Sequence, residues 1–165
     1  MTFKRIAVIG AGTMGSGIAG QIANAGHKVL LLDLTTKAID YALERLQKSE
    51  PAALHQRSNI ELIETGTIEA DFDKLADCDW IVEAVVERLD IKRDLYKRLD
   101  AVISDTCIVT SNTSTIPITQ LARASARPDH FIGLHFFSPV DKMQLVEIIV
   151  GEQTSEETLA RAFDF

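Results

Sequence analysis

The sequence predicts an α/β fold: a doubly wound, mostly parallel sheet that ends in one antiparallel strand. Three observations lead there. Short apolar runs alternate with amphipathic stretches along the whole chain. The run at 80–86 is almost wholly apolar, as a strand covered on both faces must be. A glycine turn, Gly10-Ala-Gly-Thr-Met-Gly15, follows the first apolar run at 6–9.

The elements follow in order. Residues 6–9 read as a strand, and a helix begins within the glycines and runs to Ala25. Residues 27–33 form the second strand, ending on Asp33. Residues 37–48 read as a helix with Ile39, Leu43 and Leu46 on one face and a Glu44–Lys48 pair outside; Pro51 ends it. Residues 52–59 are polar and carry no clear period. Residues 60–63 suggest a short strand, 72–76 a short helix and 80–86 a central strand. Residues 89–103 are amphipathic, with Leu95, Leu99 and Val102 inward and Asp94–Arg98 paired outward. A strand at 106–110 opens into Ser111-Asn-Thr-Ser-Thr115. Pro117 suits the first turn of a helix ending near Ala124. Strands at 131–135 and 144–150 flank a turn at Ser138-Pro139. Ser155 caps a last helix, which still carries its apolar pattern at Phe165, so a further domain is expected beyond it.

Composition bounds the function. At 165 residues the chain is one domain, 1–165, with 46% apolar and 25% charged residues. A net charge of -7 gives no footprint for nucleic acid or an anionic membrane. No apolar run is long enough to span a bilayer. Lys4-Arg5 before an apolar run loosely mimics a signal peptide, but cleavage there would destroy the glycine turn. Cys78 and Cys107 lack metal-ligand spacing and read as reduced packing residues, which suits the cytoplasm or an organelle matrix. No metal site is expected.

Strand, glycine turn and helix in succession make a dinucleotide fingerprint of the Rossmann type. Gly10 permits the tight turn, Gly12 lets backbone approach a pyrophosphate, and Gly15 lets the helix pack on the strand. The helix N-terminus holds the diphosphate. Asp33 stands where a ribose 2′-hydroxyl ligand is expected; it would repel a 2′-phosphate, and no Arg follows within 34–36. NAD is therefore favoured over NADP.

In such sheets ligands gather beyond the strands' carboxyl ends. The glycine turn and residues 87–92, 112–114 and 135–138 all lie there. If the last two strands pair about Asp141, His135 and Glu147 are directly opposite, close enough for an imidazole–carboxylate bond. Such a partner fixes the tautomer and raises the basicity that a general base needs. The bland alternative is a structural His beside a solvated Glu. It is disfavoured because Glu147 sits between Val146 and Ile148, where an unpaired charge is costly. Ser114 has two open readings: its loop's hydroxyls cap the next helix, Thr115 above all, or Ser114 faces the crevice. Glu87 and Lys92 read by default as a solvated pair.

Gly10-Ala-Gly-Thr-Met-Gly15, Glu83-Ala-Val-Val-Glu87, Ser111-Asn-Thr-Ser114, Gly133-Leu-His-Phe-Phe-Ser-Pro139 and Leu145-Val-Glu147 together resemble the 3-hydroxyacyl-CoA dehydrogenase family over essentially the whole chain. The resemblance implies an NAD-binding domain whose enzyme oxidises (S)-3-hydroxyacyl-CoA in fatty-acid β-oxidation. It implies that His135 takes the hydroxyl proton, Glu147 orients it, and Ser114 contacts substrate and nicotinamide. Gly10, Gly12, Thr13, Met14, Gly15, Asp33, Val85, Val86, Glu87, Lys92 and Ser138 would line the NAD site, although the family usually has Asn at position 138. It further implies a helical, dimer-forming second domain outside these residues. The Ser138-Pro-Val-Asp-Lys-Met143 wording resembles multifunctional β-oxidation subunits, so the partners expected are an acyl-CoA substrate and a homodimer or multienzyme complex. The alternatives are a binding module with little activity alone, or a dehydrogenase of another 3-hydroxy acid.

Overall fold

Ile6–Ile9 (β1) is buried along its whole length, so it can sit only in the middle of a sheet. The computed structural model describes residues 3–165. Thr13–Asn24 (α1) leads to Val29–Asp33 (β2). Thr36–Lys48 (α2) follows, capped by the Thr35 hydroxyl, which accepts from the Ala38 amide at 3.2 Å. Ile63–Thr67 (β3), Trp80–Glu83 (β4), Leu89–Asp100 (α3), Ile108–Ser111 (β5) and Ile118–Ala122 (α4) come next. Phe131–Phe136 (β6), Val146–Ile149 (β7) and Glu156–Asp164 (α5) complete the chain. The seven described strands form one sheet in the order β3-β2-β1-β4-β5-β6-β7. Six run parallel, and β7 pairs antiparallel with β6.

Alternate residues of each strand enter two cores. Ile6, Val8, Leu31, Trp80, Val82 and Ile132 pack against α1, α2 and α5. Ala7, Ile9, Leu30, Leu32, Ile81 and Val109 pack against α3, α4 and the 3-10 turn Phe72–Asp77. Both faces are covered, which is why the central strands read as unbroken apolar runs. The Glu44–Lys48 pair forms at 2.6 Å, and the Ser155 hydroxyl caps α5 by accepting from the Thr158 amide.

Several boundaries depart from the sequence expectation, each for a local reason. The strand expected at 60–63 is displaced along the chain: a 3-10 turn occupies Arg57–Leu62, and β3 opens at Ile63 and pairs with β2 through Thr67. The loop before it is held by the Asn24 side chain, which donates to the Ala53 carbonyl and accepts from the His55 amide and the Asn59 side chain. The strand expected at 80–86 stops at Glu83, because the Glu83 carboxylate accepts from the Val85 amide at 2.8 Å and folds the chain out of the sheet. The last strand is four residues rather than seven, and α3 ends at Asp100. On α3, Asp94 lies 3.8 Å from Lys97, while the Arg98 guanidinium stacks 4.4 Å above the Phe72 ring. An aromatic face holds a planar guanidinium well, so the expected Asp94–Arg98 pair gives way.

Candidate active site

Strand order reverses at the middle of the sheet. From β1 the chain builds outward to β2 and β3; from β4 it builds the other way to β5, β6 and β7. That reversal opens a crevice beyond the carboxyl ends of β1 and β4. The glycine turn lies at its base. Gly10 has φ of 107°, and a Cβ there would collide with the Ala84 carbonyl. A Cβ on Gly15 would collide with the Gly10 carbonyl, so α1 can start hard against β1 only with glycine at that position. A Cβ on Gly12 would meet nothing within 4 Å; it would project into open crevice, where glycine leaves room for a ligand.

Asp33 ends β2 beside this turn, its carboxylate accepting from the Ala11 amide at 2.6 Å and the Leu34 amide at 2.6 Å. Gly10, Gly12, Asp33, Val85 and Val86 line a largely apolar cavity of about 410 Å³. Met14, Glu87, Asn112, Ser114, His135 and Ser138 line a second, of about 320 Å³. Ala84 and Val85 line both, so the two lie side by side along the crevice. Thr13, the first residue of α1, instead accepts from Arg45 at 3.1 Å, and the same guanidinium donates to the Gly12 carbonyl at 2.8 Å. Nothing in the spacing of the sequence announces Arg45, which reaches the turn from the packed face between two helices.

The floor of the second cavity corrects the reading of Glu87 and Lys92 as a solvated pair. Lys92 is 1% exposed, and its ammonium lies 2.6 Å from Glu83 and 3.2 Å from Glu87. It lines neither cavity. Glu83, 0% exposed, also accepts from the Tyr96 hydroxyl at 2.7 Å and the Ser111 hydroxyl at 2.6 Å. Burial beside the Glu83 charge pushes the Tyr96 phenol well above its usual range. Glu87 is partly withdrawn from water, which alone would raise its carboxyl. The Thr113 hydroxyl, Lys92 and the Thr115 amide outweigh that and bring it down to about 2. Its Oε1 accepts from the Thr113 and Thr115 hydroxyls and from the Ser114 and Thr115 amides. The expectation that Thr115 caps the following helix fails: α4 begins at Ile118 with Pro117 at its cap position and no side-chain cap, and the Thr115 hydroxyl donates to Glu87. The sequence points to Glu87 and Lys92 but not to Glu83, whose one available signal is a lone acid inside the apolar run 80–86.

His135 and Glu147 are register partners across β6 and β7, and Nδ1 of the ring lies 2.8 Å from Glu147 Oε2. A carboxylate can only accept, so Nδ1 is the donor, and in the neutral ring Nε2 carries the lone pair. The burial argument for this pair does not hold. β7 is an edge strand, and the side chains of His135 and Glu147 are 20% and 53% exposed. Register brings them together, not shelter. The Asn112 side chain accepts from the Phe136 amide at 2.8 Å, tying the Ser114 loop to the strand that carries His135.

With this geometry in view, residues 5–165 match the family model described as 3-hydroxyacyl-CoA dehydrogenase, NAD binding domain. The chain belongs to that family. It is 46% identical over 159 residues to a probable 3-hydroxybutyryl-CoA dehydrogenase of Deinococcus radiodurans, covering 93% of this chain and 57% of that protein. It is 39% identical to a fatty acid oxidation complex subunit alpha of Psychrobacter cryohalolentis, covering 93% of this chain and 22% of that one. Among solved structures, the (S)-3-hydroxybutyryl-CoA dehydrogenase of Ralstonia eutropha superposes with a TM-score of 0.85 at 36% identity, covering 99% of this chain and 59% of that one. The chain thus spans 50% to 59% of the length of several curated relatives it matches.

The crevice of this family member fits NAD. Gly12 leaves space at the helix N-terminus for a diphosphate. Asp33 faces the adjoining cavity with acceptor capacity beyond its two amide bonds, which suits a ribose diol. Among the described residues no helix is long and apolar enough to cross a membrane.

Proposed function

We propose that this domain provides the NAD-binding, acid–base half of an enzyme that oxidises (S)-3-hydroxyacyl-CoA to 3-oxoacyl-CoA in fatty-acid β-oxidation. The observation that carries the reading is the 2.8 Å His135–Glu147 bond at the rim of the crevice end that also holds Ser114. With Nδ1 engaged, Nε2 is the nitrogen left to take the proton of a substrate 3-hydroxyl. Glu147 holds the tautomer and stabilises the imidazolium that forms. Ser114 offers a hydroxyl to the substrate oxygen or the nicotinamide amide. NAD, when bound, supplies the hydride acceptor. Gly10, Gly12, Thr13, Met14 and Gly15 form the diphosphate turn; Asp33 takes the adenosine ribose; Val85 and Val86 line the adenosine side. Ser138 sits beside His135, where its short hydroxyl reaches less far than an amide would.

Glu87 and Lys92 enter this reading differently from Ser114. Lys92 is committed to internal partners and lines neither cavity, so it supports the crevice wall from behind, whereas Glu87 holds the Ser114 loop and also faces the cavity with its carboxylate. The test, on the whole enzyme of which this domain is half, is turnover of 3-hydroxybutyryl-CoA followed by NADH absorbance, with NAD affinity measured by calorimetry on the same samples. His135→Gln is expected to lose turnover and keep NAD binding; near-normal turnover would defeat the proposal, and absence of NAD binding in the unmodified protein would defeat the cofactor site.

A further inference from the structure

Glu83 is fully buried, 2.6 Å from the Lys92 ammonium, and part of neither cavity, yet its bonds reach the Ser114 loop by two routes. Through Ser111, whose hydroxyl donates to Glu83 and accepts from the Thr113 amide at 3.3 Å, it holds the loop where β5 ends. Through Lys92, which bridges Glu83 to Glu87, it holds the carboxylate that gathers the Thr113 and Thr115 hydroxyls and the Ser114 and Thr115 amides. The same carboxylate accepts from the Val85 amide and shapes the turn leaving β4. One buried acid thereby fixes both walls of the crevice.

We propose that Glu83 is the positioning residue for the nicotinamide end of the crevice, setting the Ser114 loop through Ser111 on one side and Lys92–Glu87 on the other. Its physical basis is saturation. The carboxylate accepts from Lys92, Tyr96, Ser111 and the Val85 amide, so it has no freedom to rotate and transmits a fixed position to each donor. Glu87, at 36% side-chain exposure, is tied to the loop through Oε1 and to the sheet through the Lys92 ammonium, 3.2 Å from its Oε2. The assignment of this end to nicotinamide rests on the function proposed above; the ordering of the loop by Glu83 does not.

Two variants test it. Glu83→Gln weakens the anchor, and Glu83→Gln with Lys92→Met removes both charges so that none is left buried and unpaired. Amide hydrogen exchange read by NMR on the chain is the first readout. In both variants the Ser114 and Thr115 amides are expected to exchange about tenfold faster or more, while the Ser16 amide in the first turn of α1 keeps its rate. If the single variant does not fold, the neutral pair decides. Unchanged exchange at Ser114 and Thr115 in a folded variant, or wild-type rates in the neutral pair, would overturn the proposal, because a merely structural ion pair is made good once both charges are gone. The second readout compares ligands. NAD is expected to bind several-fold more weakly to the variant while ADP-ribose, which lacks nicotinamide, keeps its affinity. Equal weakening of both ligands would overturn the link to the nicotinamide end.

Discussion

A carboxylate–ammonium pair buried behind the crevice and a carboxylate–imidazole pair at its rim behave in opposite ways. Glu83–Lys92 is dry, saturated with donors and wedged between β4, β5 and α3. His135–Glu147 lies on the edge pair of the sheet, half open to water, joined by a single bond with one ring nitrogen left over. The first cannot exchange a proton with anything that enters the crevice, and removing either partner leaves an uncompensated charge. The second gives little stability and retains a free lone pair at the rim. Burial marks the scaffold here, and the reactive group is the one left incomplete.

That contrast breaks most visibly at His135. His135→Gln should lower turnover by about 10²–10⁴-fold, the usual contribution of a positioned general base, with NAD affinity and melting temperature close to wild type. Glu83→Gln should act on stability as well, costing about 3–5 kcal/mol in urea denaturation through the stranded Lys92; a loss under 1 kcal/mol would mean that water reaches Lys92. Gly12→Val separates ligand space from protein space. Its side chain meets no protein atom at the Cβ position, so folding should be unaffected while NAD binding weakens by about 1–3 kcal/mol in calorimetry. Glu147→Gln sharpens the comparison further. Being exposed, the pair should contribute no more than about 1 kcal/mol to stability, yet turnover should fall by about tenfold or more as the imidazole loses its partner.

The smallest effect is pH dependence at Glu87. Its carboxyl stands at about 2 in the fold, against about 4.3 in an unfolded chain. A depressed carboxyl stabilises the folded state fully above the unfolded value, and that contribution disappears as pH falls through the folded one. Amide exchange at Ser114 and Thr115 should therefore quicken between about pH 4 and pH 2, and Glu87→Gln should abolish the dependence. A loop equally protected at both ends of that range would show that Glu87 does not hold it.

Much of this was legible in the sequence because it depends on local pattern. Alternating apolar runs give the parallel sheet, Gly10 to Gly15 give the switch-point turn, and symmetry about Asp141 gives the His135–Glu147 register. What escaped depends on which element covers which. Lys92 looks like any charged residue at a helix start until α3 lays it over Glu83, a carboxylate whose own burial comes from strands on either side. Glu147 looks sheltered among apolar neighbours, but β7 is an edge strand and leaves it half open. The Asp94–Arg98 spacing fits an ion pair, but Phe72, far along the chain, offers Arg98 a better surface.

The account turns on an imidazole that donates through Nδ1 to Glu147 and presents Nε2 to the nicotinamide end of the crevice. Nitrogen NMR of the His135 ring during titration with NAD, and separately with ADP-ribose, tests this directly. The expected result is a ring protonated at Nδ1, with an Nε2 resonance that moves when NAD binds and stays put when ADP-ribose binds. An Nε2-protonated ring, or one indifferent to NAD while the dinucleotide is bound, would contradict it.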